Sequence, residues 1–191
     1  MNDSSTGGFL TPGSTPAPVE GMDLDAVLQQ MIVGLTGIAG NLVRPRWQPV
    51  VPKQPEASVN WCAVGIVDIV PDNSPFVQHQ ADGSDQMRRD EIVAVLVSFY
   101  GPAAMSLAAQ FRDGLYIAQN TEFLTAHGLG LIETSAITAL PDLVNQVWIR
   151  RYDLRVRMYR VIRRSYPVLN LLHGSISGFN DTDGVTFTAG V

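Results

Sequence analysis

From Trp148 to Ser165 the chain admits essentially one backbone conformation. It runs Trp-Ile-Arg-Arg-Tyr-Asp-Leu-Arg-Val-Arg-Met-Tyr-Arg-Val-Ile-Arg-Arg-Ser. Tyr152, Leu154, Val156 and Met158 alternate with Arg151, Asp153, Arg155 and Arg157. Successive side chains of a strand point to opposite faces, so strict alternation over this length predicts a long, half-buried β-strand. Seven of the twelve arginines lie between Arg150 and Arg164, opposed only by Asp153. One face of the strand therefore belongs to a core. The other presents Arg151, Arg155, Arg157 and Arg163 to something outside it.

Composition narrows what that something is. Charged residues make up 16% of the 191, against a usual value of about 25%. A surface so poor in charge suits a subunit of an assembly better than a free monomer. The net charge of −5 excludes a protein that coats nucleic acid through its overall field. Lys53 is the single lysine; the remaining positive side chains are arginines, whose planar fork suits directional contacts at fixed interfaces. Cys62 is the only cysteine, which excludes an intrachain disulfide and a cysteine metal cluster. Its expected role is that of a small buried hydrophobe. The first residues lack the basic start and apolar run of a signal peptide. The longest apolar stretch, Met31 to Val43, contains three glycines and falls far short of the roughly 20 residues that span a bilayer. Synthesis in the cytoplasm without membrane insertion is the expectation.

Residues 1–22 are rich in Ser, Thr, Gly and Pro and carry almost no periodic apolar signal, which predicts a flexible or extended N-terminal arm. Two roles are open for it: none, or ordering on a neighbouring subunit. Asp23 is a good N-cap, and Asp25 adds negative charge to the first turn. Leu24, Val27, Leu28, Met31, Ile32 and Leu35 follow at three- and four-residue spacing, predicting an amphipathic helix that ends near Gly40. Four prolines within residues 44–56 rule out helix and central strand and leave an extended linker of polyproline character. Trp47 is the candidate anchor that plugs this linker into the core, with docking on a partner as the alternative.

Trp61 to Val70 is apolar at both phases, which predicts a strand covered on both faces. A turn at Pro71–Pro75, a strand from Phe76 to Gln80, a glycine-containing turn at Ala81–Ser84 and a strand from Gln86 to Tyr100 follow. After Gly101-Pro102, Ala103 to Gln119 is expected to be helical, with a short helix around Glu122–Ala126 closed by Gly128. Leu129 to Leu140 is extended, residues 141–145 form a turn, and the arginine strand must stop by Tyr166, ahead of Pro167. Residues 169–191 are a C-terminal arm or hold one short strand at Gly184–Thr188. The predicted class is α+β: a mainly antiparallel four- to five-stranded sheet with helices packed on one face, spanning residues 23–168, plus extended N- and C-terminal arms.

Chemistry-bearing patterns are sparse. None of His79, His127 and His173 lies at metal spacing with another histidine or carboxylate, so each is expected to be structural or solvated. No serine sits in a glycine-flanked nucleophile elbow. Asp90 and Glu91 are adjacent on a strand and face opposite ways; they fit a solvated hairpin edge or an interface patch, not an acid–base pair. No catalytic residue, metal or cofactor is expected. An arginine row also suits phosphate, but Tyr159 is the one aromatic on that face to stack a single strand. Salt bridges across a subunit contact, from the arginines to Asp90, Glu91 or Glu133 of a neighbour, fit the pattern better.

Four places together resemble the neck terminator, or tail terminator, proteins of contractile-tailed bacteriophages. They are Arg44-Pro-Arg-Trp-Gln-Pro, Asn60-Trp-Cys-Ala-Val-Gly, Val97-Ser-Phe-Tyr-Gly-Pro, and Val144-Asn-Gln-Val-Trp-Ile-Arg-Arg-Tyr-Asp-Leu-Arg-Val. The resemblance covers residues 23–175. It implies a structural virion protein: an α+β subunit of a hexameric ring that caps the last tail-tube layer, stops polymerisation and joins the tail to the head connector. Double-stranded DNA would pass through the lumen without sequence recognition. The implied partners are further copies of the chain, the tail tube protein, the head connector or adaptor protein, and the sheath as a further candidate. Assembly in the host cytoplasm and residence at the virion neck are implied; catalytic residues are not. A head-completion or adaptor protein on the portal side is the alternative. A ring needs two different patches that meet around the cycle. The arginine strand and the acidic hairpin at Asp90 and Glu91 are the candidate halves, with the lumen as second choice for the arginines.

Overall fold

The computed structural model describes residues 8–16, 20–50, 52–144 and 146–168; the expected C-terminal arm and its late strand lie outside them. Among the described residues the chain supplies three α-helices, α1 (Met22–Thr36), α2 (Ala104–Gly114) and α3 (Ala118–Ala126). The strands are β1 (Val43–Pro45), β2 (Trp61–Pro71), β3 (Phe76–His79), β4 (Asp85–Tyr100), β5 (Leu129–Thr134), β6 (Thr138–Ala139), β7 (Asp142–Val144), β8 (Val147–Ile149) and β9 (Arg151–Tyr166). The α+β class is as expected, but the sheet is mixed and larger than four or five strands. Seven strands form it, in the order β1–β2–β4–β9–β5, with β3 on β4 and β6 on β9. Prolines at 45 and 49 kept β1 out of the sequence reading. A proline is tolerated on an edge strand, and β1 is an edge, paired parallel to β2 from Val43↔Cys62 to Pro45↔Val64. The segment read as a turn at residues 141–145 instead starts a separate two-stranded hairpin, β7 with β8.

The helices also shift. Helix α1 starts after Gly21, which makes no side-chain cap, and leaves Asp23 and Asp25 inside its first turn. It ends at Thr36, three residues early, because Gly37 turns left-handed (φ 71°) and returns its N–H to Val33 O at 2.9 Å. The helix expected from Ala103 to Gln119 breaks at residues 115–117, where the Asn120 amide takes up the Gly114 carbonyl at 2.9 Å.

The chain divides into two compact units, Pro16–Pro75 with Arg89–Ile162, and Met1–Thr15 with Phe76–Arg88 and Arg163–Val191. In the larger unit, one face of the sheet and the three helices enclose the core. Val64, Val93, Val95, Val97, Phe99, Leu154, Val156 and Met158 meet Leu24, Leu28, Ile32, Ala108, Phe111 and Leu124. Cys62 is fully buried there, and burial pushes its thiol pKa up. In the smaller unit, β3 pairs antiparallel with the start of β4 from Phe76↔Arg88 to His79↔Asp85. There too Gly13 and Ser14 of the N-terminal segment exchange backbone hydrogen bonds with Ser165 at 2.8 and 3.1 Å.

Two bulges decide which residues reach the open face of the sheet. In β2 the register slips between Ile66 and Asp68. Each strand residue flips face, so one extra residue reverses the phase. Cys62 and Val64 point to the core before the bulge; Asp68 and Val70 point to the open face after it. Coverage on both faces was expected for this strand, but only residues 62–65 are buried, and Val67 and Val70 are 38% and 51% exposed. A second slip in β5, between Leu131 and Glu133, turns Glu133 to the open face opposite Arg157.

Candidate functional site

Strand β9 carries the predicted alternation: Leu154, Val156, Met158, Arg160 and Ile162 are buried, while Arg155, Arg157, Tyr159 and Arg163 are exposed. The strand begins at Arg151 rather than Trp148 because the chain breaks at Arg150, whose carbonyl accepts the Gly101 N–H at 3.1 Å. The arginines differ sharply in their surroundings. Arg151 is half-buried, with Nη2 2.7 Å from Asp153 Oδ2 and Nη1 3.4 Å from Asp142 Oδ2. Its guanidinium lies over the Tyr100 ring at 5.6 Å. The hydrogen bonding it donates to Asp153, more than any other contact, holds its pKa above the ordinary arginine value. Arg157 bonds Glu133 Oε1 across the strand pair at 2.7 Å, half in solvent. The Arg155 side chain has no hydrogen bond or ion pair with the described residues.

The acidic candidates split as adjacent strand residues must. Asp90 accepts a hydrogen bond from the Tyr159 hydroxyl at 2.7 Å on the open face. Glu91 turns the other way and is only 9% exposed. It meets Arg160, whose Nε and Nη2 donate to its Oε2 at 3.0 and 2.8 Å. Glu20 Oε1 takes a second contact from Arg160 Nη2 at 3.3 Å, and Arg160 Nη1 has no hydrogen-bond partner among the described residues. Glu91 is thus held by its own chain on the core side. The Arg160–Glu91 pair was missed in the sequence, although the phase carried it: Arg160 falls with Leu154, Val156 and Met158, and Glu91 with Val93 and Val95. A charge in that phase must be paired if buried.

The open face has two ends. At one, Trp61 and Tyr100 stack with centroids 4.0 Å apart and planes 6° apart, and Arg44 lies 5.7 Å over the Trp61 ring. Burial pushes the Tyr100 hydroxyl pKa up, against the pull of Arg151 and Arg46. Arg46 donates to Ser98 Oγ. Trp47 does not plug into the core. It adopts φ 57°, is 72% exposed, and lays its ring edge against Gly65, where a Cβ would come within 2.9 Å. It borders a groove of about 500 Å³ with Pro45, Pro52, Trp61 and Tyr100. Beside the groove stands the β7–β8 hairpin, seated by Ile149 against Ala63 and Tyr100. Its cross-strand pair Leu143↔Trp148 points outward, 58% and 67% exposed. At the other end lies a trough of about 370 Å³. Ile92 and Ala94 floor it, Asp68 and Val70 form one wall, and Arg155, Arg157 and Glu133 form the other.

Among the described residues no three metal-ligating side chains converge. His79 Nδ1 lies 2.9 Å from Asp85 Oδ1, and His127 Nδ1 lies 2.8 Å from the Phe123 carbonyl oxygen; His173 is outside the described residues. No described helix is long and apolar enough to cross a membrane. What the open face offers is contact surface: exposed aromatics and aliphatics, and arginines differing in how far their charge is spent.

The sequence model of one protein family, described as phage neck terminator protein, matches residues 22–186. No curated protein matches the chain significantly.

Proposed function

The chain belongs to the phage neck terminator family, a structural family of the phage neck, and on that premise we propose that it forms a ring there. The ring is hexameric, closes the last layer of the tail tube and joins the finished tail to the head connector, with double-stranded DNA passing through its lumen. The family match over residues 22–186 carries this reading. The open sheet face supports it, because the consecutive outward side chains Arg155, Arg157 and Tyr159 are all exposed, as suits a fixed subunit contact. The Arg155 side chain has no partner among the described residues, and Arg157 is only half-spent on Glu133. An acidic or aromatic group on a neighbour would meet them. Arg151 acts differently, bracing the Tyr100 end of its own sheet.

The test reverses charge at Arg155 and Arg157 together, in the full chain supplied to tail tubes. Loss of tube capping and ring formation by a variant that remains folded supports the subunit contact. Normal assembly with premature DNA loss moves the arginines to the lumen. A protein that stays monomeric even when mixed with tubes and connectors overturns the ring, and twelve copies on the portal side would assign it to the adaptor instead.

A further inference from the structure

The two ends of the open face are chemically unlike and stand apart on one rigid sheet. Trp61 and Val70 lie at or next to the two ends of the ladder that joins them, and at the rise of a strand they are about 30 Å apart. At the Trp61 end the β7–β8 hairpin forms a knob. Ile149 is buried, so its neighbours on either side, Trp148 and Arg150, face out. The Trp148 indole is 67% exposed, and the Arg150 side chain has no hydrogen bond or ion pair with the described residues. At the Val70 end the trough has an apolar floor, Ile92 and Ala94, under a charged rim. Two rim groups, Asp68 and Arg155, have side chains without a partner among the described residues. The other rim charges, Arg157 and Glu133, bond each other with both side chains half in solvent.

We propose that the Trp148 knob of one copy seats in the Asp68–Arg155 trough of the next. This rests on the ring reading and names the surfaces by which the ring closes. The indole lies on Ile92 and Ala94 with Arg155 over its face, a cation–π contact. Arg150, flanking the indole, reaches the carboxylate of Asp68, so the one unpartnered carboxylate of the trough meets a cation while Arg155 meets the aromatic ring. The trough volume, about 370 Å³, exceeds that of one indole side chain and leaves room for Leu143 at the mouth. Knob and trough are different patches of one chain. Two different patches are what a head-to-tail contact repeating around a cycle requires. A large exposed tryptophan with an arginine beside it is also the composition of an interface hot spot.

A charge swap tests this, read by native mass and by imaging of the full chain, alone and with tail tubes. Arg150→Asp and Asp68→Arg, each alone, place like charges together and abolish ring formation. Combined in one chain they restore it. Trp148→Ala weakens self-association by about 30-fold or more, the effect of losing a hot-spot residue. Both charge variants lie at exposed positions, and the rescue by the double variant excludes misfolding as the cause. Rings formed as by the parent protein in both single variants, or failure of the double variant to rescue, overturn the knob-and-trough contact and leave the ring itself standing. Failure of the parent protein to form rings under either condition overturns the ring reading, and this contact with it.

Discussion

Arg157 and Arg160 lie on the same strand, and each bonds a glutamate, yet their worth differs. The Arg157–Glu133 pair is half in water, with 47% and 55% of the side chains exposed, and such pairs contribute about 0.2–1 kcal/mol. The Arg160–Glu91 pair is nearly sealed, at 3% and 10%. Removing one partner of a sealed pair strands the other charge, which costs about 3–5 kcal/mol. Urea denaturation should therefore show Arg157→Ala within about 1 kcal/mol of the parent protein, and Glu91→Ala destabilised by about 3 kcal/mol or more. Equal losses would contradict the assignment. The sequence held the phase that buries Arg160 but not its partner, because cross-strand pairing depends on register, which no local pattern states. Cys62 was legible, since an isolated cysteine in an apolar strand is a core residue by default. Its pKa is raised in the fold above the unfolded value of about 8.5, so the thiolate is favoured only on unfolding. Stability is intact below that pH and falls as pH rises above it. At pH 8 the native thiol should resist alkylation that goes to completion in denaturant; rapid labelling of the folded protein would sink this.

At the scale of elements, two glycines make contrasting predictions. Gly101 joins β4 to α2 at φ +104°, and a Cβ there would lie 2.5 Å from the Val59 carbonyl oxygen. Neither backbone strain nor that collision can relax cheaply, so Gly101→Ala should cost about 3 kcal/mol. At Gly65 the nearest atoms belong to the side chains of Trp47 and Arg46. Trp47 is exposed and can swing away, so Gly65→Ala should cost clearly less and mainly shift tryptophan fluorescence. Thermal melts of the two variants settle the order. Two long elements were readable because each obeys one period: β9 alternates from Leu154 to Tyr159, and α1 repeats every three to four residues. The misreadings fall where one residue changes the period or the ending. The bulge after Ile66 exposed the end of β2, Gly37 stopped α1 early, and an edge position admitted Pro45 into β1. Turn geometry and edge status are properties of neighbours, and a single strand of sequence does not contain them.

For the whole molecule, a sheet with helices on one side leaves its other face to be covered. Among the described residues that face is covered by the Trp47 linker and the β7–β8 hairpin only in part, and Trp148, Leu143 and Val147 are 67%, 58% and 50% exposed. Exposed apolar surface gathered on one rigid element marks a place of association, and a family of the phage neck supplies the setting. The resemblance seen in the sequence pointed to the same family. Its motifs fall on elements that shape the open face: the linker with Trp47, the start of β2, the β4–α2 junction, and the hairpin that leads into β9. The low charge content agrees with a surface that assembly covers. The most direct measurement is the rotational symmetry and position of this protein's density in images of the intact phage neck. The account predicts a closed six-fold ring between the last tail-tube layer and the head connector. A twelve-fold collar on the portal side, or the absence of this chain from the neck, would contradict it.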